Sequence, residues 1–173
     1  IPKELKENAN AVIRNEQIDI NILAVDEMVV SEKRTITILN KLGNSSAAMY
    51  QHYDNDTKIT KLSAIIYDAF GKEIQKYPKG KFSDASAVDG GTLYSDDRVK
   101  YLEYTPTSYP YTLVFESEYK TSSTGFIPGW VPINRYFVAV ENSEYKILNT
   151  PKIPWRKKNI NFSNFNIKIE ELE

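Results

Sequence analysis

One histidine, His52, and no cysteine set the limits on the chemistry open to this chain of 173 residues. Without a thiol there is no disulfide, no thiolate zinc or iron–sulfur ligation and no cysteine nucleophile. His52 is the one side chain that ordinarily titrates near neutral pH, and a single imidazole cannot build a histidine-rich metal cluster. A serine brought to it by the fold would complete a nucleophile pair. No Gly-x-Ser-x-Gly elbow marks such a serine, and the phosphate-binding glycine loop, the dinucleotide fingerprint and the His-Glu-x-x-His helix are all missing. His52 therefore reads as an ordinary strand or loop residue, and no residue is assigned a catalytic role.

Carboxylates are the next candidates. Asp54-Asn55-Asp56-Thr57 starts like a calcium loop, but Lys58 follows where an oxygen ligand is needed, and the EF-hand glycine and the closing glutamate are absent. The segment reads as a polar hairpin tip, and no metal is expected. Asp84, Asp89, Asp96 and Asp97 would serve acid–base chemistry only if the fold brought two of them roughly 5 to 10 Å apart in a cleft. Solvated turns are the expectation, and no cofactor is implied.

Recognition has better material. Residues 121–133, TSSTGFIPGWVPI, combine two glycines, two prolines and the large side chains Phe126 and Trp130. Such a loop either caps the fold or packs on a neighbouring domain, with a peptide or a sugar face as the alternative partner. Phe126, Trp130 and Trp155 are the candidate contacts with an interface or ligand. Trp155 opens the basic run Trp155-Arg156-Lys157-Lys158, but lysine plus arginine number 22 against 23 aspartates and glutamates, a net charge of −1. A chain so balanced has no general field for nucleic acid or anionic lipid, and three basic residues are too few for a nucleic-acid site. Tyr101, Tyr104, Tyr109, Tyr111 and Tyr119 alternate in a way that suits sheet packing.

The elements that must hold these residues are strands. Lys3 to Glu7 favour a short N-terminal helix, with Leu5, Ala9 and Val12 or Ile13 on a thin apolar stripe. After Asn10 the period becomes 2: Ile18, Ile20 and Ile22, then Met28, Val30, Ile36 and Ile38 across a turn at Asp26-Glu27. Further strands are expected over 47–53, 59–67, 73–79, 86–94, 99–104, 111–120, 136–141, 145–148 and 161–169. Gly71 should take positive φ in a hairpin, and Gly90-Gly91 should mark a bulge. No helical stretch long enough for a crossover lies between strands, so the prediction is an all-β antiparallel β-sandwich with a short N-terminal helix. Residues 1–150 would form this domain, and 151–173 a linker and the first strand of a following β-rich segment. No run of 18 apolar residues exists, so no membrane-spanning helix is expected.

The segments IPKELKENANAVIRNEQ, IIYDAFGKEIQKYPKGKFSD and YTLVFESEYKTSSTGFIPGW together resemble the N-terminal domain of unknown function of exported bacterial transglutaminase-like proteins, especially those of Bacteroidetes. The resemblance spans roughly 1–150 and rests most on the hairpin from Ile65 to Lys79, the strand from Glu116 to Tyr119 and the segment around Trp130. It implies an immunoglobulin-like sandwich exported to the periplasm or cell envelope, followed by a Cys-His-Asp catalytic domain. This chain, having no cysteine, carries none of that domain's nucleophile. The role implied is a noncatalytic accessory module, orienting the downstream domain or binding its protein or cell-envelope substrate. The alternatives are an independent structural or adhesive sandwich or, less well supported, a hydrolase using carboxylates or His52.

Overall fold

The structure, a computed structural model, describes residues 1–87, 95–162, 165 and 167–170. The chain is all-β in two sheets. After a single helical turn α1 (Lys3–Lys6), the strands are β1 (Ala11–Ala24), β2 (Glu27–Ile38), β3 (Met49–Tyr53), β4 (Thr57–Tyr67), β5 (Glu73–Pro78), β6 (Ser83–Ser86), β7 (Arg98–Leu102), β8 (Tyr111–Thr121), β9 (Val138–Val140) and β10 (Ser143–Asn149). The large sheet runs β10-β1-β2-β8-β4-β5 with β9 also on β1, and the small sheet runs β3-β7-β6. Gly71 has φ +82° in the β4–β5 turn, as the hairpin requires.

Two expectations need correction. The N-terminal helix is shorter than its apolar stripe suggested, because Val12 and Ile13 belong to β1 and pair with Thr37 and Ile36 of β2. Sheet burial claims these β-branched residues more strongly than a one-turn helix can. No strand forms over the described residues between 161 and 170. Phe165 and Ile169 stay exposed there. The bulge expected at Gly90-Gly91, and Asp89 with it, lie outside the described residues.

The outer edge of the large sheet also departs from a purely antiparallel plan, since β9 and β10 both run parallel to β1. The cause is topological. β8 runs in the same direction as β1, being antiparallel to β2, which is itself antiparallel to β1. Residues 122–137 then cross over the sheet to its far edge without reversing direction. A parallel return needs a crossover of about a dozen residues or more, and here a Gly/Pro-rich segment replaces the usual helix. The edge breaks between β9 and β10 where β1 bulges at Arg14, and the Arg14–Glu141 ion pair and the Asn142–Asn15 bond (2.7 Å) close the gap.

Alternation fixes the two faces of the large sheet. Outward lie polar side chains such as Glu116, held by Lys33 at 2.9 Å and Lys61 at 2.6 Å. Inward lie two separate apolar clusters. The first, with Ile13, Ile36, Ile38, Ile66, Leu113 and Phe115, is covered by the small sheet through Met49 and Leu102. The Tyr104, Tyr109 and Tyr111 rings pack beside it, and burial together with the neighbouring tyrosines pushes the Tyr111 hydroxyl up to about 12. The second cluster, Ile20, Ile22, Met28 and Val30, is covered by Ile127 of the crossover and by Ile153. Each fully buried aliphatic side chain contributes about 1.5 to 3 kcal/mol. Two covers over one sheet leave a gap between them.

Candidate ligand-binding cleft

The floor of that gap is where the inward alternation turns polar. Along β2 the inward positions read Met28, Val30, Glu32, Arg34, Ile36 and Ile38, so two charged residues stand between the two apolar pairs. Glu16 lies opposite Arg34 on β1, and Ser117 opposite Glu32 on β8. The walls are Tyr50, Gln51 and His52 of β3 on one side and Pro128, Gly129 and Arg135 of the crossover on the other, around a cavity of about 360 Å³. A second hollow of about 270 Å³ continues from it past Gln51, His52 and Tyr119 towards Asp54, Asp97 and Phe126.

The charges on the floor are unevenly satisfied. The Arg34 guanidinium donates to the Ala48 carbonyl and lies 5.9 Å from the centre of the Phe115 ring. Its Nε is the one buried side-chain polar atom among the described residues without a hydrogen-bond partner. Glu16 accepts from the Ser143 hydroxyl at 2.8 Å. Glu32 forms neither a hydrogen bond nor a salt bridge among the described residues. Burial pushes its carboxyl above the ordinary carboxylate range, against the pull of Arg34 and with the push of Glu16. Tyr119 is raised by burial first and by Glu32 second.

The crossover is fastened over this floor. Thr124 donates to the Val25 carbonyl at one end, and Arg135 donates to the Ser45 carbonyl at 2.7 Å at the other. In the middle, the Trp130 indole N–H donates to Ser143 at 2.9 Å, and the ring stacks on Tyr145 with centroids 6.2 Å apart. The Tyr145 hydroxyl donates to the Pro128 carbonyl. Trp130, Ser143 and Glu16 thus form a hydrogen-bonded chain from the cover into the cleft.

The residues singled out in the sequence divide accordingly. Trp130 is half-buried in the fastening, with Phe162 edge-on to it at 6.0 Å. Phe126 is 86% exposed at the far mouth of the cleft, and Trp155 is 44% exposed and outside its lining. His52 is exposed on the cleft wall with its ring edge-on to Tyr50 at 5.5 Å, and no hydroxyl is bonded to it. Asp54 and Asp56 hold the β3–β4 turn, Asp54 accepting from the Asp56 N–H at 2.9 Å. Asp96 accepts from the Asn55 N–H at 2.8 Å. Asp84 is drawn well below the carboxylate range by Lys100 first, then Tyr53 and Arg98. Asp84, Asp54 and Asp96 are thus bonded within strands and turns, and Asp97 lines the second hollow with Asp54. Glu16, Glu32 and Arg34 escaped the sequence reading. For Glu32 and Arg34 the signal was the interruption of the apolar alternation between Val30 and Ile36, and Glu16 is marked only by its pairing with Arg34.

In sequence, residues 25–170 match a family described as a domain of unknown function with a solved structure, DUF3857. In fold, the chain is similar to a crystal structure described as a "putative protease" from Parabacteroides distasonis, with a TM-score of 0.55 and 15% identity, over 71% of this chain and 24% of that one. This chain thus spans about a quarter of the solved chain it matches. No curated protein matches it. With 25–170 accounted for by one family, the chain belongs to DUF3857.

Proposed function

We propose that this chain is a noncatalytic accessory module of a longer exported protein of the transglutaminase-like kind, acting at the periplasm or cell envelope. It orients a neighbouring domain of the same polypeptide or binds that domain's protein or cell-envelope substrate. The observation that carries this reading is the cleft between the two covers. It has charged groups on its floor and an aromatic side chain at its mouth, and among the described residues no nucleophile is hydrogen-bonded to His52 along it. Such a site has what binding needs and lacks what group transfer needs. The match to a quarter of a longer solved chain is consistent with a unit that works beside others.

The test is turnover by the purified chain. Incubated with a glutaminyl donor and an amine, and separately with an unstructured protein substrate, it should give no product above buffer. Turnover that a single point change in this chain abolishes would overturn the reading.

A further inference from the structure

The wall of the cleft formed by β3 is a sheet edge. Among the described residues β3 pairs with β7 on one side only, and the large sheet does not pair with it. Residues of both parities, Tyr50, Gln51 and His52, line the same cavity, so the cavity meets the backbone of the strand and not only one of its faces. The orientation of the edge is fixed by its neighbours. The Ala48 carbonyl, one residue before β3, accepts from Arg34 on the cleft floor, and the His52 carbonyl accepts from the Gln51 side chain at 3.1 Å rather than being spent wholly in the ladder. By two-residue alternation, the N–H and C=O of Tyr50 and His52 point to the same open side as the Ala48 carbonyl.

An open strand edge is a template for another strand. This one borders the gap between the small sheet, to which it belongs, and the crossover, so an extended chain lying in the gap can reach it. The five residues of β3 give it a length of about 17 Å. The charge along the cleft is acidic: Glu16 and Glu32 line its first hollow and Asp54 and Asp97 its second, against Arg34 and Arg135. Each arginine donates to a backbone carbonyl, although the Arg34 Nε has no partner, and among the described residues Glu32 has no hydrogen bond. A half-buried carboxylate without a hydrogen bond, beside an open edge, is complementary to a cation carried by the strand that occupies the edge.

We propose that the cleft binds an extended polypeptide segment rich in lysine or arginine, which adds as a strand to the free edge of β3 and sets a basic side chain on Glu32 and Glu16. This deepens the accessory reading above by naming its partner's chemistry, and it rests on that reading. On an added strand every second side chain faces the floor, so basic residues at alternate positions suit the site best.

The probe is the peptide acetyl-Lys-Thr-Lys-Thr-Lys-amide, titrated into the full chain by fluorescence anisotropy and by amide NMR. Saturable binding is expected, with shifts at the Tyr50 and His52 amides, a Kd at least tenfold weaker for E32Q, and no comparable binding by the all-glutamate analogue. Backbone N-methylation at the lysines or at the threonines should weaken binding tenfold for one of these parities only, since an added strand turns alternate N–H groups to its neighbour. Gln is nearly isosteric with Glu and uncharged, so E32Q keeps the fold, which circular dichroism checks. Equal binding by E32Q, equal binding by the all-glutamate peptide, or equal effects of the two methylation patterns would overturn the assignment. No peptide binding at all would also overturn it. If the chain still associates with the rest of its polypeptide, only the groove assignment falls; if it does not, the accessory reading falls with it.

Discussion

Glu32 and Arg34 stand at inward positions that alternation would otherwise fill with apolar side chains, and neither finds a full set of partners there. A half-buried carboxylate without a hydrogen bond among the described residues costs stability, so it marks a place where folding alone does not explain the residue. Burial holds the Glu32 carboxyl above its usual pKa of 4.5. Between the unfolded and the folded titration points the folded chain therefore keeps a proton that the unfolded chain has released. Stability falls as pH rises through that window, and above it the loss is complete. E32Q should accordingly be more stable than the parent chain at pH 7, and the advantage should vanish near about pH 3, where Glu is protonated in both states. Urea midpoints of the two proteins at each pH measure it. Comparison at matched pH cancels Glu116, whose carboxyl Lys61 and Lys33 hold low and whose contribution runs the other way, present at neutral pH and lost on acidification.

At the scale of elements, the crossover over 122–137 decides whether the second cluster is covered, and Trp130 is its fastening. W130A removes the stack on Tyr145 and the bond to Ser143 and opens the packing with Phe162. Burying a large aromatic fully is worth about 3 to 5 kcal/mol, so a half-buried one should cost about 2 kcal/mol when truncated. F126A, at an 86% exposed position, should stay within about 0.5 kcal/mol of the parent. Paired denaturant curves separate the two. The elements themselves were legible because period 2 is a local signal: the isoleucines of β1 and β2 and the β4–β5 hairpin with Gly71 fall where alternation and turn chemistry put them. The parallel return through β9 and β10 was not legible, since nothing local in TSSTGFIPGWVPI says that the chain crosses to the far edge rather than turning back. Val12 and Ile13 satisfied both a helical stripe and a strand, and only pairing with Thr37 and Ile36 settles the choice. The cleft was half legible: Phe126 borders it and Trp130 fastens its cover, while its charged floor becomes a site only when β1, β2 and β8 lie side by side.

For the whole molecule, one large sheet with two unequal covers explains both the stability and the opening. The small sheet and the crossover each close over an apolar cluster, and the polar gap between them is left accessible where the edge of β3 and the floor of β2 meet. The outward face, by contrast, carries paired charges such as Lys33 and Lys61 on Glu116, which water already satisfies. If the proposed accessory role holds, the partner should be met through the gap and not through the outer face. The most direct measurement is amide hydrogen exchange of the chain alone and mixed with the neighbouring domain that the proposed role requires, expressed separately. The account predicts new protection over β3 and over 126–135. Protection confined to the outward face around Lys33, Lys61 and Glu116, or no change anywhere, would contradict it.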